Sequence, residues 1–548
     1  MGAQGAWLVS GRAVRIGALT LAAVALVLAG VAVGIAVQDE DDSTSDQVER
    51  PSVAGGPLSG GAETRYRGRA ELAPSPTTRS VRPPKQTPRT PESFSTQIVE
   101  STDVPATEMQ APDDPGTEGA FAVFGNSLVN EGAALWIAEP DVASKGDRAL
   151  VTWNHGAAFT SNGGESFTLV SHDELRRGPG GYCCDQLALY EPARDLWIWF
   201  VQGEIGPSLH NQIRISVAKG DEDFDSRSFK DWTFSAESFR ELLDEADPKP
   251  DLSSTFLDYP NIDVTAEHLF LTINVYSKGV YANTIVLRIA LDDLAAKTDV
   301  PTWRYVADPH GTARLVDGAS DTMYFAQHID SATLRIWRWG DAEVNPTTRD
   351  VAHSSYTRNQ LGYTCKRTGA NTGDWCKRLR DEGPTNDDRP TSAWLTDGVL
   401  GFAWNANNDP DRNFPYPFVM VVRVDAETFA VKDEPHIWSP NHAYQYAAIS
   451  PNARGDLGGV AIAGGGAHYW TCTALVNDDA SGGAWEARVL DVSDADAAAD
   501  ETGDYLGATP YEPGSNTWKA TCMTLDGGGL ATDVQVRLYH IGRADQND

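Results

Sequence analysis

The stretch Cys183–Phe239 contains four strand-like runs: "CCDQLALY" (183–190), "DLWIWFVQG" (195–203), "NQIRISVAKG" (211–220) and "WTFSAESF" (232–239). The runs are rich in β-branched and aromatic residues, and Gly, Asp, Asn and Pro separate them, which is typical of short antiparallel strands. The same rhythm of four strands in about 40 to 60 residues recurs along the chain, and it predicts the blades of a β-propeller.

The repeat begins near residue 120 and continues to the C-terminus. Seven groups can be laid out, of which the last holds three runs, "GDYLGATPY", "TWKATCMTL" and "VQVRLYHIG". The earlier run "FAVFGNSLV" (121–129) is a suitable fourth strand, because pairing with the C-terminal strand would close the ring and remove two exposed edges. We therefore predict an all-β, seven-bladed propeller over residues 119–548, with six blades as the alternative.

The N-terminal residues predict a location outside the cytoplasm. Residues 17–37 carry no charge, and this length is sufficient to span the hydrocarbon core of a bilayer at about 1.5 Å per residue. Arg12 and Arg15 precede the span and an acidic run follows it, which orients the N-terminus inwards. We predict a cytoplasmic tail (1–16), a single-pass transmembrane anchor or signal (17–37) and a disordered Pro/Thr/Ser-rich linker (38–118). Cleavage of the signal would give a secreted protein.

The charge balance excludes one class of partner. The chain has 77 acidic and 44 basic residues, a formal net charge of −33. Such a field repels nucleic acids, so we expect no nucleic-acid partner. We expect a monomer.

One turn resembles a known motif. "TSNGGESF" (160–167) is similar to the Asp-box hairpin of sialidase-like propellers, with Thr160, Asn162 and Phe167 at the Ser, Asp and Trp positions of the motif. "GDYLGATPY" (503–511) also resembles a strand opening near the end of such chains. The resemblance implies a sialidase-like propeller fold. Asp-boxes brace hairpins and are not catalytic, so the resemblance does not supply catalytic residues.

Polar residues recur where the innermost strand of each blade begins. Because strands alternate in direction, all these beginnings surround one end of the central channel, which we call the mouth. The residues predicted there are Asp141, Asp185, Asp258, Tyr259, Asn261, His310, Arg389, Gln445, Asp504 and Tyr505. Their carboxylates suit acid–base catalysis, a Ca²⁺ ion or sugar hydroxyls, whereas the alternative is that they cap turns. Tyr182, Tyr259, Tyr446 and Tyr505 suit either stacking on sugars or packing between blades.

Six cysteines in an exported chain favour disulfides. We expect Cys365 to pair with Cys376 within a long insertion, and Cys472 with Cys522 between the last two blades. For the adjacent Cys183 and Cys184 we favour a bridge that braces a tight turn and presents Asp185. Pairing with distant cysteines is the alternative, since six cysteines allow fifteen connectivities.

Three functions remain open from the sequence. The first is recognition of an extracytoplasmic ligand, a glycan, at the acidic mouth. The second is a glycoside hydrolase or lyase that uses Asp185, Asp258 or Asp504. The third is a scaffold that binds another envelope protein across the propeller face.

Overall fold

A computed structural model describes residues 59–66, 69–72, 104–111, 113, 119–133, 138–154, 156–206, 209–246, 249–357, 362–377, 388–497, 503–526 and 534–546. The predicted span 17–37 lies outside these residues, and within them no helix combines the length and the apolar character needed to cross a membrane.

Seven sheets of four core strands form the molecule, with one further strand on three of them. Strands β1 (Ser59–Arg65), β2 (Arg69–Leu72) and β3 (Met109–Gln110) precede β4 (Phe121–Ala133). Blade 1 contains β5 (Asp141–Lys145), β6 (Arg148–Trp153), β7 (Gly156–Thr160) and β8 (Ser166–Ser171). Blade 2 contains β9 (Gln186–Glu191), β10 (Leu196–Gln202), β11 (Gln212–Lys219) and β12 (Ser228–Ser235). Blade 3 contains β13 (Thr255–Val264), β14 (His268–Ser277), β15 (Val280–Ala290) and β16 (Trp303–Asp308).

The remaining blades follow the same order. Blade 4 contains β17 (Arg314–Leu315), β18 (Thr322–Asp330), β19 (Thr333–Gly340) and β20 (Thr347–Ala352). Blade 5 contains β21 (Pro390–Thr396), β22 (Val399–Ala406), β23 (Phe418–Asp425) and β24 (Val431–Asp433). Blade 6 contains β25 (Ala443–Pro451), β26 (Leu457–Gly465), β27 (His468–Asn477) and β28 (Glu486–Val492). Blade 7 contains β29 (Gly507–Pro510), β30 (Trp518–Leu525) and β31 (Val534–Arg543), with β4 as its outer strand.

These sheets form a closed ring. The innermost strands β5, β9, β13, β17, β21, β25 and β29 each contact the next one, and β29 contacts β5. β4 pairs antiparallel with β31, so a strand from before blade 1 completes blade 7. The predicted seven-bladed propeller and its closing strand are therefore confirmed. Short helices α1 (His172–Leu175), α2 (Gly220–Ser226), α3 (Arg240–Leu243) and α4 (Leu291–Ala295) lie between described strands.

The apolar run of β10 shows how the core is built. All seven of its residues are buried. Trp197 and Trp199 pack in a cluster with blade 1, whereas Ile198 and Phe200 pack in a cluster with blade 3. Because successive side chains of a strand point to opposite faces, a central strand between two neighbouring blades must be apolar on both faces.

The region predicted to be a disordered linker contributes to three blades. β1 pairs with β12 of blade 2, β2 pairs with β8 of blade 1, and β3 pairs with β28 of blade 6. Tyr66 is buried and its ring centroid lies 5.1 Å from that of Trp199. The expectation of disorder over 38–118 is thus corrected for β1, β2 and β3, whose backbones bond to sheet edges, and for the rest of that region it stays a prediction.

The turn between β7 and β8 is held by side chains of the motif-like segment. Asn162 Oδ1 accepts hydrogen bonds from the Ser166 amide (3.1 Å) and the Thr160 hydroxyl (2.9 Å). Thr160 Oγ1 accepts from the Gly164 amide (3.0 Å), and Gly164 has a φ of +93°, which favours glycine. The turn joins the third and fourth strands of blade 1, as predicted.

Candidate functional site at the channel mouth

Gln202, at the end of β10, holds the residues that begin blade 2. The Cys183 amide donates to the Gln202 carbonyl (3.0 Å), and the Gln202 amide donates to the Asp185 carbonyl (2.9 Å). Cys184 therefore lies in a bend between two residues whose backbones bond to Gln202. The Asp185 amide also donates to Gln202 Oε1 (3.1 Å), and Gln202 Nε2 donates to Asp258 Oδ1 of blade 3 (2.8 Å). One glutamine thus holds the backbone of Asp185 and the carboxylate of Asp258.

Asp185 and Glu139 form a buried pair of interacting carboxyl groups. Their exposed fractions are 7% and 6%. Burial, with repulsion from Asp504, raises the pKa of Glu139 from 4.5 to about 7. Burial, with repulsion from Glu139, Asp258 and Asp504, raises the pKa of Asp185 well above its usual value. Both carboxyl groups therefore lose their protons less readily than exposed ones do.

Glu139 is anchored by two donors. Asn154 Nδ2 donates to Glu139 Oε2 (2.7 Å), and the Asp504 amide donates to Glu139 Oε1 (2.9 Å). Glu139 precedes β5 of blade 1, whereas Asp504 precedes β29 of blade 7. The pair therefore lies where the first and last blades meet.

Arg389 supplies the positive charge of the mouth. Its Nη2 lies 2.8 Å from Asp504 Oδ2, and its guanidinium lies 3.7 Å from the centre of the Tyr259 ring, a cation–π distance. The side chains of Arg389 and Asp504 remain 21% and 18% exposed, so solvent reaches them. Burial raises the pKa of Asp258, and the attraction of Arg389 opposes this shift. We call Glu139, Asp185, Asp258, Arg389 and Asp504 the mouth cluster.

Two predicted residues hold neighbouring blades together. Asp141 Oδ2 accepts a hydrogen bond from the Ala188 amide of blade 2 (2.9 Å), and burial raises the pKa of Asp141 to about 6. Asn261 Oδ1 accepts from the Leu315 amide of blade 4 (2.8 Å). Because the inner edge of an innermost strand has no strand partner, these side chains satisfy amides that face the channel.

Three other predicted residues lie outside the mouth cluster. His310 is in the link before β17, where its Nδ1 lies 2.7 Å from Asp308 Oδ1. Gln445 is completely buried in β25, and within the described residues its amide group has no hydrogen-bond partner. Tyr505 is 4% exposed, and its hydroxyl donates to the Gln186 carbonyl (3.3 Å).

Sequence reasoning missed Glu139 and Tyr276. Glu139 lies two residues before the Asp141 that was predicted, and its place just before an innermost strand was the available signal. Tyr276 lies near the end of β14, and burial raises its pKa to about 12, with Arg389, Asp258 and Asp504 among the charges that act on it. It is half-buried, whereas Tyr182, Tyr259, Tyr446 and Tyr505 are at most 4% exposed.

The inner strands carry a second cluster of charged residues, apart from the mouth cluster. Arg314 of β17 interacts electrostatically with Asp141, Asp263 and Asp317, and burial lowers its pKa. Burial also raises the pKa of Asp317 to about 6 and that of Asp263 well above its usual value. The inner wall of the ring therefore stays polar beyond the mouth cluster.

The cysteines pair as predicted. Disulfides join Cys183 to Cys184, Cys365 to Cys376 and Cys472 to Cys522, with α-carbon separations of 3.8, 5.6 and 6.1 Å. Among the described residues, the trio of side chains close enough to share a metal ion is Cys365, Asp374 and Cys376, and its two sulfurs are already bonded to each other. The Ca²⁺ site at the mouth thus gains no support from the arrangement of the carboxylates.

Comparisons with known proteins find solved structures that resemble this chain only at low sequence identity and low TM-score. No family model and no curated protein matches the chain. An α-L-arabinanase of Penicillium chrysogenum complexed with arabinobiose is 10% identical, with a TM-score of 0.35, over 76% of this chain and 98% of that one. The GH93 α-L-arabinofuranosidase of Fusarium graminearum is 10% identical, with a TM-score of 0.35, over 77% and 98%. A Trypanosoma rangeli sialidase is 7% identical, with a TM-score of 0.29, over 70% and 57%. No family is assigned from likenesses at this level.

Proposed function

We propose that the mouth cluster binds an uncharged carbohydrate. The observation that carries this proposal is the convergence of four carboxyl groups and one guanidinium, from five blades, on one partly exposed site. Sugar hydroxyls both donate and accept hydrogen bonds, so they match carboxylates that accept and the Arg389 guanidinium that donates. The excess of carboxyl groups, together with the net charge of −33, disfavours an anionic ligand.

The described side chains offer the ligand two kinds of contact. Asp258 and Asp504 have ionisable oxygens at the partly exposed side of the cluster, and Arg389 donates from the opposite blade. Tyr276 is the half-buried tyrosine beside these charges. A polar cluster beside one aromatic side chain is a common design for small polar ligands.

A glycan microarray probed with the full-length chain tests the proposal. We expect binding to a restricted set of uncharged oligosaccharides, and loss of most of this binding in Asp185→Asn. The matched control is Asp292→Asn, because Asp292 is 84% exposed and lies outside the mouth. Binding to no glycan, or equal binding by wild type and Asp185→Asn, would contradict the proposal. Retention of an envelope protein instead would favour the scaffold function.

Glycoside hydrolysis is the second candidate, and the raised pKa of Asp185 beside other carboxyl groups favours it. A carboxyl group with a raised pKa is suited to act as a general acid, while Asp258 or Asp504 has the carboxylate that a base or nucleophile requires. Incubation of the array-selected oligosaccharide with the protein distinguishes the two functions. New reducing ends that disappear in Asp185→Asn support hydrolysis, and an intact oligosaccharide supports recognition alone.

The membrane anchor at 17–37 is part of the proposal. Three disulfides are typical of exported proteins, which agrees with an extracytoplasmic propeller. We also propose a distant relationship to sialidase-like propellers, because the turn Thr160–Phe167 resembles an Asp-box. Fractionation of cells that express the full chain tests the anchor: recovery in the membrane supports it, and recovery in the medium supports a cleaved signal.

A further inference from the structure

We infer that the Cys183–Cys184 disulfide is an apolar contact surface of the mouth, against which the C–H face of the bound sugar ring packs. The inference rests on the proposed carbohydrate function and adds a specificity-determining element to it. The disulfide directly precedes Asp185 in the chain, at the start of blade 2.

Exposure distinguishes this disulfide from the other two. Cys183 and Cys184 are both only partly buried. Cys365, Cys376, Cys472 and Cys522 are at most 1% exposed. The other disulfides are therefore cross-links within the core, whereas the adjacent pair lies at a surface that solvent and a ligand can reach.

A purely stabilising role does not account for the adjacent pair. A disulfide stabilises a fold mainly by restricting the unfolded chain, and this effect becomes smaller as the closed loop becomes shorter. No residue lies between Cys183 and Cys184. The turn is held independently, because Gln202 makes three hydrogen bonds with Cys183 and Asp185. The Tyr182 hydroxyl adds a fourth, to the Cys184 carbonyl (3.0 Å).

The aromatic residues that the structure describes beside Asp185 expose little of their rings. Tyr182 and Tyr505, the neighbouring aromatic residues, are 1% and 4% exposed, and their hydroxyls are hydrogen-bonded to backbone carbonyls. Sugar rings have an apolar C–H face as well as hydroxyls, and that face requires an apolar partner. The polarisable sulfurs of the disulfide meet this requirement beside the carboxyl group that would bind the hydroxyls.

Protection from reduction tests the contact directly. The full-length chain is treated with a water-soluble phosphine, with or without a saturating amount of the array-selected oligosaccharide. The freed thiols are then alkylated and mapped by mass spectrometry. We expect Cys183 and Cys184 to be reduced first because of their exposure, and the ligand to slow their reduction at least about fivefold. Unchanged reduction in the presence of bound ligand would overturn the inference.

Removal of the disulfide gives an independent measurement. We expect Cys183→Ala/Cys184→Ala to bind the same oligosaccharide about tenfold more weakly, with the melting temperature unchanged. Wild-type affinity in this variant overturns the inference. A weaker affinity together with a clear loss of thermal stability also overturns it, because the disulfide then acts by stabilising the turn. The proposed function fails separately, if wild type binds no oligosaccharide or Asp185→Asn binds as wild type does.

Discussion

At the scale of single residues, the chemistry of the mouth depends on its closely spaced carboxyl groups. Burial and mutual repulsion oppose the simultaneous ionisation of Asp185 and Glu139. Arg389 pairs with Asp504 on the more exposed side of the same site. The mouth thus offers both carboxyl oxygens and a guanidinium to the hydroxyls of a ligand.

The raised pKa of Glu139 predicts a pH dependence of stability. The folded protein keeps this proton between pH 4.5, the ordinary pKa, and about 7, whereas the unfolded chain releases it. The free energy of unfolding therefore falls as the pH rises through this window, by up to about 3 kcal/mol from this group. Glu139→Gln removes the contribution, so its stability should fall less between pH 5 and pH 8. Urea denaturation at several pH values measures the difference.

A matched control for this experiment is Glu267→Gln, because Glu267 is exposed. The control should follow the wild-type pH dependence. If Glu139→Gln and wild type show the same slope of unfolding free energy against pH, the pKa of Glu139 is not raised in the folded protein.

At the scale of elements, three strands from the N-terminal region cover outer edges of the blades. β1 and β2 cover adjacent blades, and Tyr66 between them fills a pocket in the core. Its hydroxyl accepts a hydrogen bond from Arg214 Nη2 (3.1 Å), and Arg214 Nη1 donates to the Pro179 carbonyl (2.9 Å) in the loop before Cys183. The segment therefore supports the loop that leads to the mouth.

Substitution of Tyr66 tests whether this segment belongs to the fold. Tyr66→Ala should lower the free energy of unfolding by about 3–5 kcal/mol, because it leaves a cavity against Trp199 and Phe229. Tyr66→Phe keeps the ring and loses one hydrogen bond, so it should cost about 1–3 kcal/mol. Chemical denaturation measures both. A Tyr66→Ala variant as stable as wild type would mean that residues 59–66 are a dispensable linker.

The difference between predicted and unpredicted elements has a physical cause. The blade strands bury side chains on both faces, and this leaves runs such as "LWIWFVQ" (196–202) in the sequence. β1 and β2 join the sheets by backbone hydrogen bonds at their edges. Such bonds require no particular residue types, so the Pro- and Thr-rich composition of this region did not indicate strands. In the mouth, strand direction brought Asp185, Asp258, Arg389 and Asp504 to one end of the channel, and their part in binding stays a prediction. It did not reveal the interaction of Asp185 with Glu139, because that interaction depends on distances that no spacing encodes.

At the scale of the whole molecule, the ring is closed by contacts between its last two blades as well as by β4. Arg543, at the end of β31, is 3% exposed in its side chain. It lies 2.8 Å from Asp478 and 2.8 Å from Glu486 of blade 6. The Cys472–Cys522 disulfide joins the same two blades. Blade 7 is therefore fixed to blade 6 by charge and by a covalent bond.

Arg543→Met tests this junction. The variant leaves the buried Asp478 carboxylate without its counter-charge, whereas Glu486 keeps Arg488, so we expect a loss of about 3–5 kcal/mol in the free energy of unfolding. Arg543→Met/Asp478→Asn/Glu486→Gln removes the whole network and should recover part of that loss. Urea denaturation of both variants at neutral pH measures the effect. A loss below about 1 kcal/mol in Arg543→Met would show that the ion pairs contribute little to closure.

The most direct test of the account is to ask whether four blades act on one ligand. The affinity of the array-selected oligosaccharide is measured by calorimetry for Glu139→Gln, Asp185→Asn, Asp258→Asn and Asp504→Asn, with Asp292→Asn as the control. We expect each of the four to weaken binding about tenfold or more, since each removes a polar partner at the mouth, and the control to bind as wild type does. Wild-type affinity in all four variants would place the ligand elsewhere and contradict the account.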